Sequence, residues 1–590
     1  MSTPAAVSTQ PAPIPPTLLR PAGSRWAWGF LIDIAVFVAV FAAVFGLYSI
    51  GRSWFGPVKV ESEISQNPRS LPLYALYSLV RILVAYGLSL VFALVYGYAA
   101  AKSKRAEMIL IPLLDILQSI PVLSFLPAVM LAMVAVFPSR QLGVELGSII
   151  LIFTGQVWNI AFSFYSSLKT IPRDLREAAI IYRFSPWQRF LELDLPFSTI
   201  GLVWNSMMSV AGGWFFLMAC EMFVLGDKDF RLPGLGSFLQ TAASSGNTRA
   251  MLWGLGTMVA VIVLMDALIW RPVIAWADKF KFEQVESSST AQNSLLSFIR
   301  RESFLIRAYR RILHPIVDWL TLNFARGASR AAKTLSASSR GSRRWLGWLF
   351  AAIAVVFVLY GVYRTVGELS HLHRDDYFLL LRSAGLTFLR VNLALLIGAF
   401  WTVPVGVAIG FNPRFARIAQ PLVQLAASIP ATALFPVILL FLIRLRGGVE
   451  IAAMALMLLG TQWYILFNVI AGAMAIPTDL KEVSHVFRFG SFDRWRYLIL
   501  PGIFPYLVTG MVTASGGAWN ASIVAEYFHF QGKIVEAPGL GSTISRASDS
   551  GHFDLLLAST LIMATVVVLI NRLVWRRLYR LASTRFKLET

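Results

Sequence analysis

The sequence predicts an all-α integral membrane protein of about twelve transmembrane helices, arranged as two parallel six-helix repeats. Three observations predict it: a composition too apolar for water-facing domains, about twelve apolar stretches of spanning length, and a sequence repeat that relates the two halves. Of the 590 residues, 57% are hydrophobic and 14% charged, with a mean hydropathy of +0.65, whereas a soluble domain carries about a quarter charged residues. The net charge of +21, from 52 Lys and Arg against 31 Asp and Glu, would suggest a nucleic-acid partner in a soluble protein. In a membrane protein it marks cytoplasmic loops. The single Cys excludes an intramolecular disulfide and any Cys-rich metal or iron–sulfur site.

A helix needs about 20 apolar residues to cross the hydrocarbon layer. Such stretches lie near 27–49, 74–101, 108–137, 146–167, 200–225 and 251–276 in the first half, and near 345–367, 378–410, 417–443, 449–473, 504–528 and 556–575 in the second. The first 25 residues, with Pro11, Pro13, Pro15 and Pro16 close together, predict a disordered cytoplasmic tail. The span after them is too long for a cleaved signal peptide, so it is expected to stay as the first helix. The expected organisation is therefore a tail at 1–25, a first repeat at 26–276, a linker at 277–344 and a second repeat at 345–590.

Basic residues of the short loops set the orientation. With the N-terminus inside, Lys102, Lys104, Arg105, Lys169, Arg173, Arg176, Arg183 and Arg189 fall on the cytoplasmic side of the first half. Arg414, Arg417, Lys481, Arg488, Arg494 and Arg496 do so in the second, and the C-terminus adds Arg576, Arg577, Arg580, Arg585 and Lys587. Both termini are placed in the cytoplasm. In the linker, Phe298, Leu305, Tyr309, Ile312 and Ile316 alternate with Arg300, Arg301, Arg307, Arg310 and Arg311. This run reads either as a solvated connector or as a helix on the inner leaflet with its arginines toward anionic lipid; nucleic-acid contact is the third reading. Because the basic excess falls in inner loops, linker and tail, it orients helices, and no nucleic-acid partner is expected.

The repeat is the most informative feature. Ile171-Pro172-Arg173-Asp174-Leu175-Arg176-Glu177 matches Ile476-Pro477-Thr478-Asp479-Leu480-Lys481-Glu482, 305 residues on. The same offset links Gly155 to Gly460, Trp214 to Trp519, Glu221 to Glu526, and Pro233-Gly234-Leu235-Gly236 to Pro538-Gly539-Leu540-Gly541. Upstream an offset of 309 links Arg81 to Arg390, Gly97 to Gly406, and Ser119-Ile120-Pro121 to Ser428-Ile429-Pro430. An even number of spans per half makes the repeat parallel about an axis normal to the membrane, with a path between the halves.

Between its fourth and fifth spans each repeat carries a long cytoplasmic segment, at about 168–199 and 474–503. The first reads Glu177-Ala178-Ala179, then Arg183 and Leu195-Pro196; the second reads Glu482-Val483-Ser484, then Arg488 and Leu500-Pro501, and in both the Glu lies 19 residues before the Pro. This resembles the EAA loop of permease subunits in bacterial ABC importers, whose pattern is E-A-A, a Gly six residues after the Glu, and a closing I-x-L-P. The Ser-Ile-Pro, the Trp-to-Glu spacing and the Pro-Gly-Leu-Gly run resemble the branch that imports nitrate, taurine, other sulfonates and similar small anions.

The resemblance implies a type I importer-like fold and a fused permease working by alternating access. It also implies two separate ATP-binding subunits docked on the two loops, a periplasmic substrate-binding protein at the outer mouth, and the bacterial inner membrane as location. The sequence departs from the pattern at Arg183 and Arg488, where Gly is expected, and at Glu-Val-Ser in the second copy. No Gly-x-x-x-x-Gly-Lys-[Ser/Thr] loop occurs, so ATP and Mg are expected on the partners, with no cofactor or catalytic site in this chain.

Charges inside spans are costly and mark candidate sites. Arg81 and Arg390, with Glu221 and Glu526, read either as an anion-attracting mouth of the path or as ion pairs that fix helix packing within each half. Gly212, Gly213, Gly516 and Gly517 allow close helix approach or line the path, and Trp214 and Trp519 beside them either gate or pack. His371, His373, Asp375 and Asp376 read as a solvated outer loop, with no metal expected. The alternative from another class is a twelve-span secondary transporter driven by an ion gradient, although mid-membrane acidic residues are few, chiefly Asp115, Asp266 and the two glutamates.

Overall fold

The computed structural model describes residues 64–280 and 372–585, apart from 138–140, 226–227 and 446, with a few isolated positions between 352 and 370. The expected tail at 1–25, the span near 27–49, most of the span near 345–367 and the linker from residue 281 lie outside the described residues. The described residues belong to one unit, Ile50–Ser288 with Lys333–Thr590.

The first half runs α1 (Leu71–Lys102), α2 (Lys104–Ser119), α3 (Leu126–Val136), α4 (Leu142–Thr170), α5 (Arg173–Ile181) and α6 (Leu195–Glu221). A hairpin of β1 (Val224–Leu225) and β2 (Lys228–Asp229) follows, then α7 (Leu235–Ser244) and α8 (Thr248–Met265). The second half repeats this order: α9 (Arg374–Phe411), α10 (Pro413–Ser428), α11 (Ala431–Leu442), α12 (Gly448–Ala475), α13 (Thr478–Val486), α14 (Leu500–Ala525), β3 (Tyr527–Phe530), β4 (Lys533–Glu536), α15 (Leu540–Ser550) and α16 (Phe553–Ile570). Both hairpins are antiparallel, with Val224 opposite Asp229 and Tyr527 opposite Glu536. The sequence repeat is thus a repeat of structure, element for element.

Among the described residues eight helices are long and apolar enough to cross a membrane, namely α1, α4, α6 and α8 with their counterparts α9, α12, α14 and α16. The stretches at 108–137 and 417–443, expected as single spans, are each two helices; α10 and α11 meet at a bend of 82°. Proline explains the break. A residue before Pro is pushed out of the helical region, and Ile120 and Ile429, each preceding a Pro, have φ/ψ of −79°/125° and −75°/119°. At 16 and 11 residues, α2 and α3 are each shorter than a full crossing takes.

In each half the first long helix packs on the fourth and the fourth on the sixth, α1 on α4 on α6 and α9 on α12 on α14. Equivalent glycines make the first crossing close. A Cβ on Gly97 would stand 2.9 Å from Phe164 Cδ1, and one on Gly406 would stand 2.8 Å from Val469 Cγ1. The halves interlock through their breaks and last spans: Leu123 N donates to Asn520 Oδ1 at 3.4 Å, and Thr560 Oγ1 on α16 donates to the Ser124 carbonyl at 3.1 Å. At the hairpin end, Gln240 Nε2 donates to the His529 carbonyl at 3.2 Å, and Gln531 N to the Ala243 carbonyl at 3.0 Å.

Candidate functional site

Burying a charge is tolerable only where counter-charges and hydrogen bonds replace water, and the two span arginines meet that condition in the same way. Arg81 is fully buried. Its Nε and Nη2 donate to the two carboxylate oxygens of Glu145 at 2.6 and 2.7 Å. Its Nη1 donates to Glu221 Oε1 at 2.7 Å and to the Pro233 carbonyl at 2.9 Å. Ser78 Oγ donates to Glu221 Oε1 at 2.6 Å and accepts from Leu235 N at 3.0 Å, while Gly236 N donates to Glu221 Oε2 at 2.7 Å.

In the second half Arg390 pairs with both Glu526 and Glu450. Thr387 Oγ1 donates to Glu526 at 2.9 Å and accepts from Leu540 N at 2.8 Å, and Gly541 N donates to Glu526 Oε2 at 2.8 Å. A Cβ on Gly234 or Gly539 would overlap the neighbouring Glu carboxylate, which accounts for the repeated Pro-Gly-Leu-Gly. Each network ties the first and fourth helices of its half to the end of the sixth and the start of the seventh. Sequence reasoning missed Glu145 and Glu450, the third member of each set, because they open their spans and read as loop ends. Their common offset of 305 was the available signal.

Among the described residues, two of the cavities lie between the halves. One, of about 420 Å³, is walled by Trp204, Gly212, Phe215 and Phe216 of α6, by Ser428–Ala431 at the second break, by Gly460, Trp463, Tyr464 and Asn468 of α12, and by Gly517 and Asn520 of α14. Its lining contains no charged side chain. The other, of about 580 Å³ at the hairpin end, is lined among others by Arg231, Tyr527, His529 and Asp549. There Tyr527 Oη donates to Asp549 Oδ2 at 2.7 Å, and burial lifts the Asp549 carboxyl above its ordinary range against the opposing pull of that bond.

Of the ten expected path residues, Gly212 and Gly517 line the smaller cavity. Arg81, Glu221, Arg390 and Glu526 line neither of these cavities; each Arg pairs with the Glu of its own half, the second of the two readings their sequence offered. Gly213, Trp214, Gly516 and Trp519 also lie outside both linings. Gly213 lets the buried Gln156 side chain lie against its backbone, and the two tryptophans are core residues exposed by no more than 1%.

The two EAA-like segments fold alike at the opposite end from the hairpins. Glu177 on α5 and Glu482 on α13 are exposed. Ala178 is half-buried and Ala179 buried; Val483 is exposed, and Ser484 is buried with its Oγ donating to the Lys481 carbonyl at 2.7 Å. Pro196 and Pro501 each follow a one-turn π-helical stretch, Phe190–Asp194 and Arg494–Ile499, within helices that run on continuously into α6 and α14. Large apolar side chains remain on the surface beside each Glu: Ile180, Ile181 and Tyr182 in the first half, Val486 and Phe487 in the second. The local anchors differ. Lys102 Nζ pairs with the buried Asp194 at 2.9 Å in the first half, whereas in the second the equivalent of Lys102 is Phe411, whose ring centroid lies 4.6 Å from Lys481 Nζ.

Both helices end in the left-handed turn that glycine favours, with Arg183 at φ 51° and Arg488 at φ 48°. Phe184 N donates to the Ala179 carbonyl and Phe489 N to the Ser484 carbonyl, each at 3.0 Å, closing the same cap in both copies. The turn geometry therefore survives the loss of the expected Gly, at a cost of about 1 kcal/mol per residue. Arg183→Gly and Arg488→Gly should relieve that strain and slow amide exchange at Phe184 and Phe489 about fivefold; faster exchange would show that the arginines hold the turns through their side chains.

A family described as binding-protein-dependent transport system inner membrane component matches residues 89–270 and again residues 402–587. The nitrate import permease protein of Leptolyngbya laminosa is 26% identical over 185 residues, 31% of this chain and 63% of that protein. The taurine transport system permease protein of Escherichia coli (strain K12) is 25% identical over 182 residues, 31% of this chain and 62% of its own length. The bicarbonate transport system permease protein of Synechococcus elongatus is 28% identical over 185 residues, 31% and 63%. The chain thus spans less than two thirds of the length of each of these relatives.

Proposed function

We propose, from the premise that this chain belongs to the family of binding-protein-dependent transport system inner membrane components, that it is the fused membrane part of an ATP-driven importer of a small anion. The observation that carries the reading is the double family match, in which one chain holds two copies of the family's core. In this reading α5 and α13 are the coupling helices, and two separate ATP-binding subunits dock on them from the cytoplasm. Their exposed Glu and apolar side chains supply a mixed charged and hydrophobic contact of the kind a partner would bury. A short helix held between two spans converts movement of an attached subunit into rigid-body rocking of the halves.

A substrate-binding protein would deliver cargo at the hairpin end, and the chain would lie in the bacterial inner membrane with both termini in the cytoplasm. The relatives' cargoes, nitrate, taurine, bicarbonate and aliphatic sulfonates, suggest the anion class. The family match gives no support to an ion-driven secondary transporter. Uptake of the transported anion by cells expressing the transporter should persist when a protonophore collapses the proton gradient at constant ATP, and stop on ATP depletion. Collapse with the protonophore alone would favour the ion-driven mechanism.

A further inference from the structure

The cavity of about 420 Å³ between α6 and the second half has a wall that helix packing does not require. Glycine weakens a helix interior relative to alanine, and membrane helices keep it where backbones must approach closely. That explains Gly97, Gly155, Gly213 and Gly406, where a Cβ would collide with a neighbour. It does not explain the three glycines of the cavity wall. A Cβ on Gly212 would meet only Tyr464 Oη at 3.4 Å, one on Gly460 only Ala431 Cβ at 3.8 Å, and one on Gly517 would meet Thr461 Cγ2 at 3.4 Å, all ordinary contacts. What these glycines preserve is the open volume.

The chemistry of the wall narrows the occupant. The lining holds six aromatic rings and no charged group. A bare, strongly hydrated oxyanion would surrender its water there without gaining a counter-charge. A larger anion with an apolar body gains from leaving water, and a cavity of this size lined by aromatic side chains and a few neutral polar groups is of the kind that encloses an organic ligand. For the anionic group the wall offers the Tyr464 hydroxyl and the second N–H of the Asn468 and Asn520 amides; their first N–H groups donate to the Tyr464 and Gly516 carbonyls at 2.8 and 3.1 Å. The positive end of the α11 dipole, at Ala431, also faces it.

We propose that this cavity holds, during transport, an organic anion with a flat apolar body, of the size and chemistry of an arenesulfonate. The inference rests on the anion-importer reading and names the cargo class within it. It is tested with the purified full-length chain in nanodiscs, by equilibrium dialysis of labelled benzenesulfonate, methanesulfonate and nitrate.

Benzenesulfonate should bind saturably and at least about tenfold more tightly than either small anion. Gly517→Leu should weaken it at least about tenfold, whereas Gly516→Leu, at the neighbouring glycine outside the lining, should leave it unchanged. Should Gly517→Leu not fold, Gly212→Ala, which adds one methyl to the wall, should weaken binding with an unchanged or raised Tm. Nitrate or methanesulfonate binding as tightly as benzenesulfonate would overturn the proposal. So would benzenesulfonate binding that ignores Gly517→Leu and Gly212→Ala, or the absence of saturable binding of any probe up to about 10 mM. The assay contains no ATP-binding subunit, so its failure leaves the importer reading standing, and that reading fails separately on the charge reversals at Glu177 and Glu482.

Discussion

Arg81→Met should destabilise the chain by about 3–5 kcal/mol, because it strands the Glu145 and Glu221 carboxylates in the interior without a counter-charge. The three side chains are exposed by no more than 1%, so water cannot take over the arginine's part. Thermal unfolding of the purified chain is the check, with a large fall in Tm expected. Combining Arg81→Met with Glu145→Gln and Glu221→Gln should recover much of the loss, since neutral amides need hydrogen bonds but no counter-charge. Arg390→Met should cost less, because its partner Glu450 is 48% exposed and keeps access to water. If the arginines served an anion path instead, Arg81→Met would abolish uptake and leave Tm nearly unchanged.

Much of this arrangement is legible in the sequence, and the repeat is the reason. Two noisy halves read at fixed offsets identify the elements that matter: the Ser-Ile-Pro break, the Glu-bearing helices and the Pro-Gly-Leu-Gly turn each recur where the structure places equivalent elements. Hydropathy alone misjudges the segments at 108–137 and 417–443, since an apolar run carries no information about direction; the bend comes from the Ile-Pro dihedral restriction. Residue roles are less legible. Gly212 and Gly213 are adjacent on α6, yet one faces the cavity and the other receives Gln156, a distinction set by helix rotation against its neighbours. Arg183 and Arg488 adopt the backbone of the glycine they replace, which residue identity argues against and the surrounding cap enforces.

Double reversal, Glu177→Lys with Glu482→Lys, should abolish ATP-driven uptake while leaving the fold intact. Both carboxylates are exposed and make no ion pair among the described residues, so the chain's own stability does not depend on them. A partner surface that accepts a carboxylate would meet an ammonium instead, and like-charge contact at an interface costs several kcal/mol. Each single variant should retain a fraction of the rate or none, according to whether one docked loop suffices for rocking. Uptake by cells carrying the double variant, normalised to the amount of folded chain in the membrane, tests most directly that this one polypeptide supplies both coupling surfaces of an importer. The account predicts a fall of at least about a hundredfold at unchanged Tm. Undiminished uptake in the double variant would contradict it.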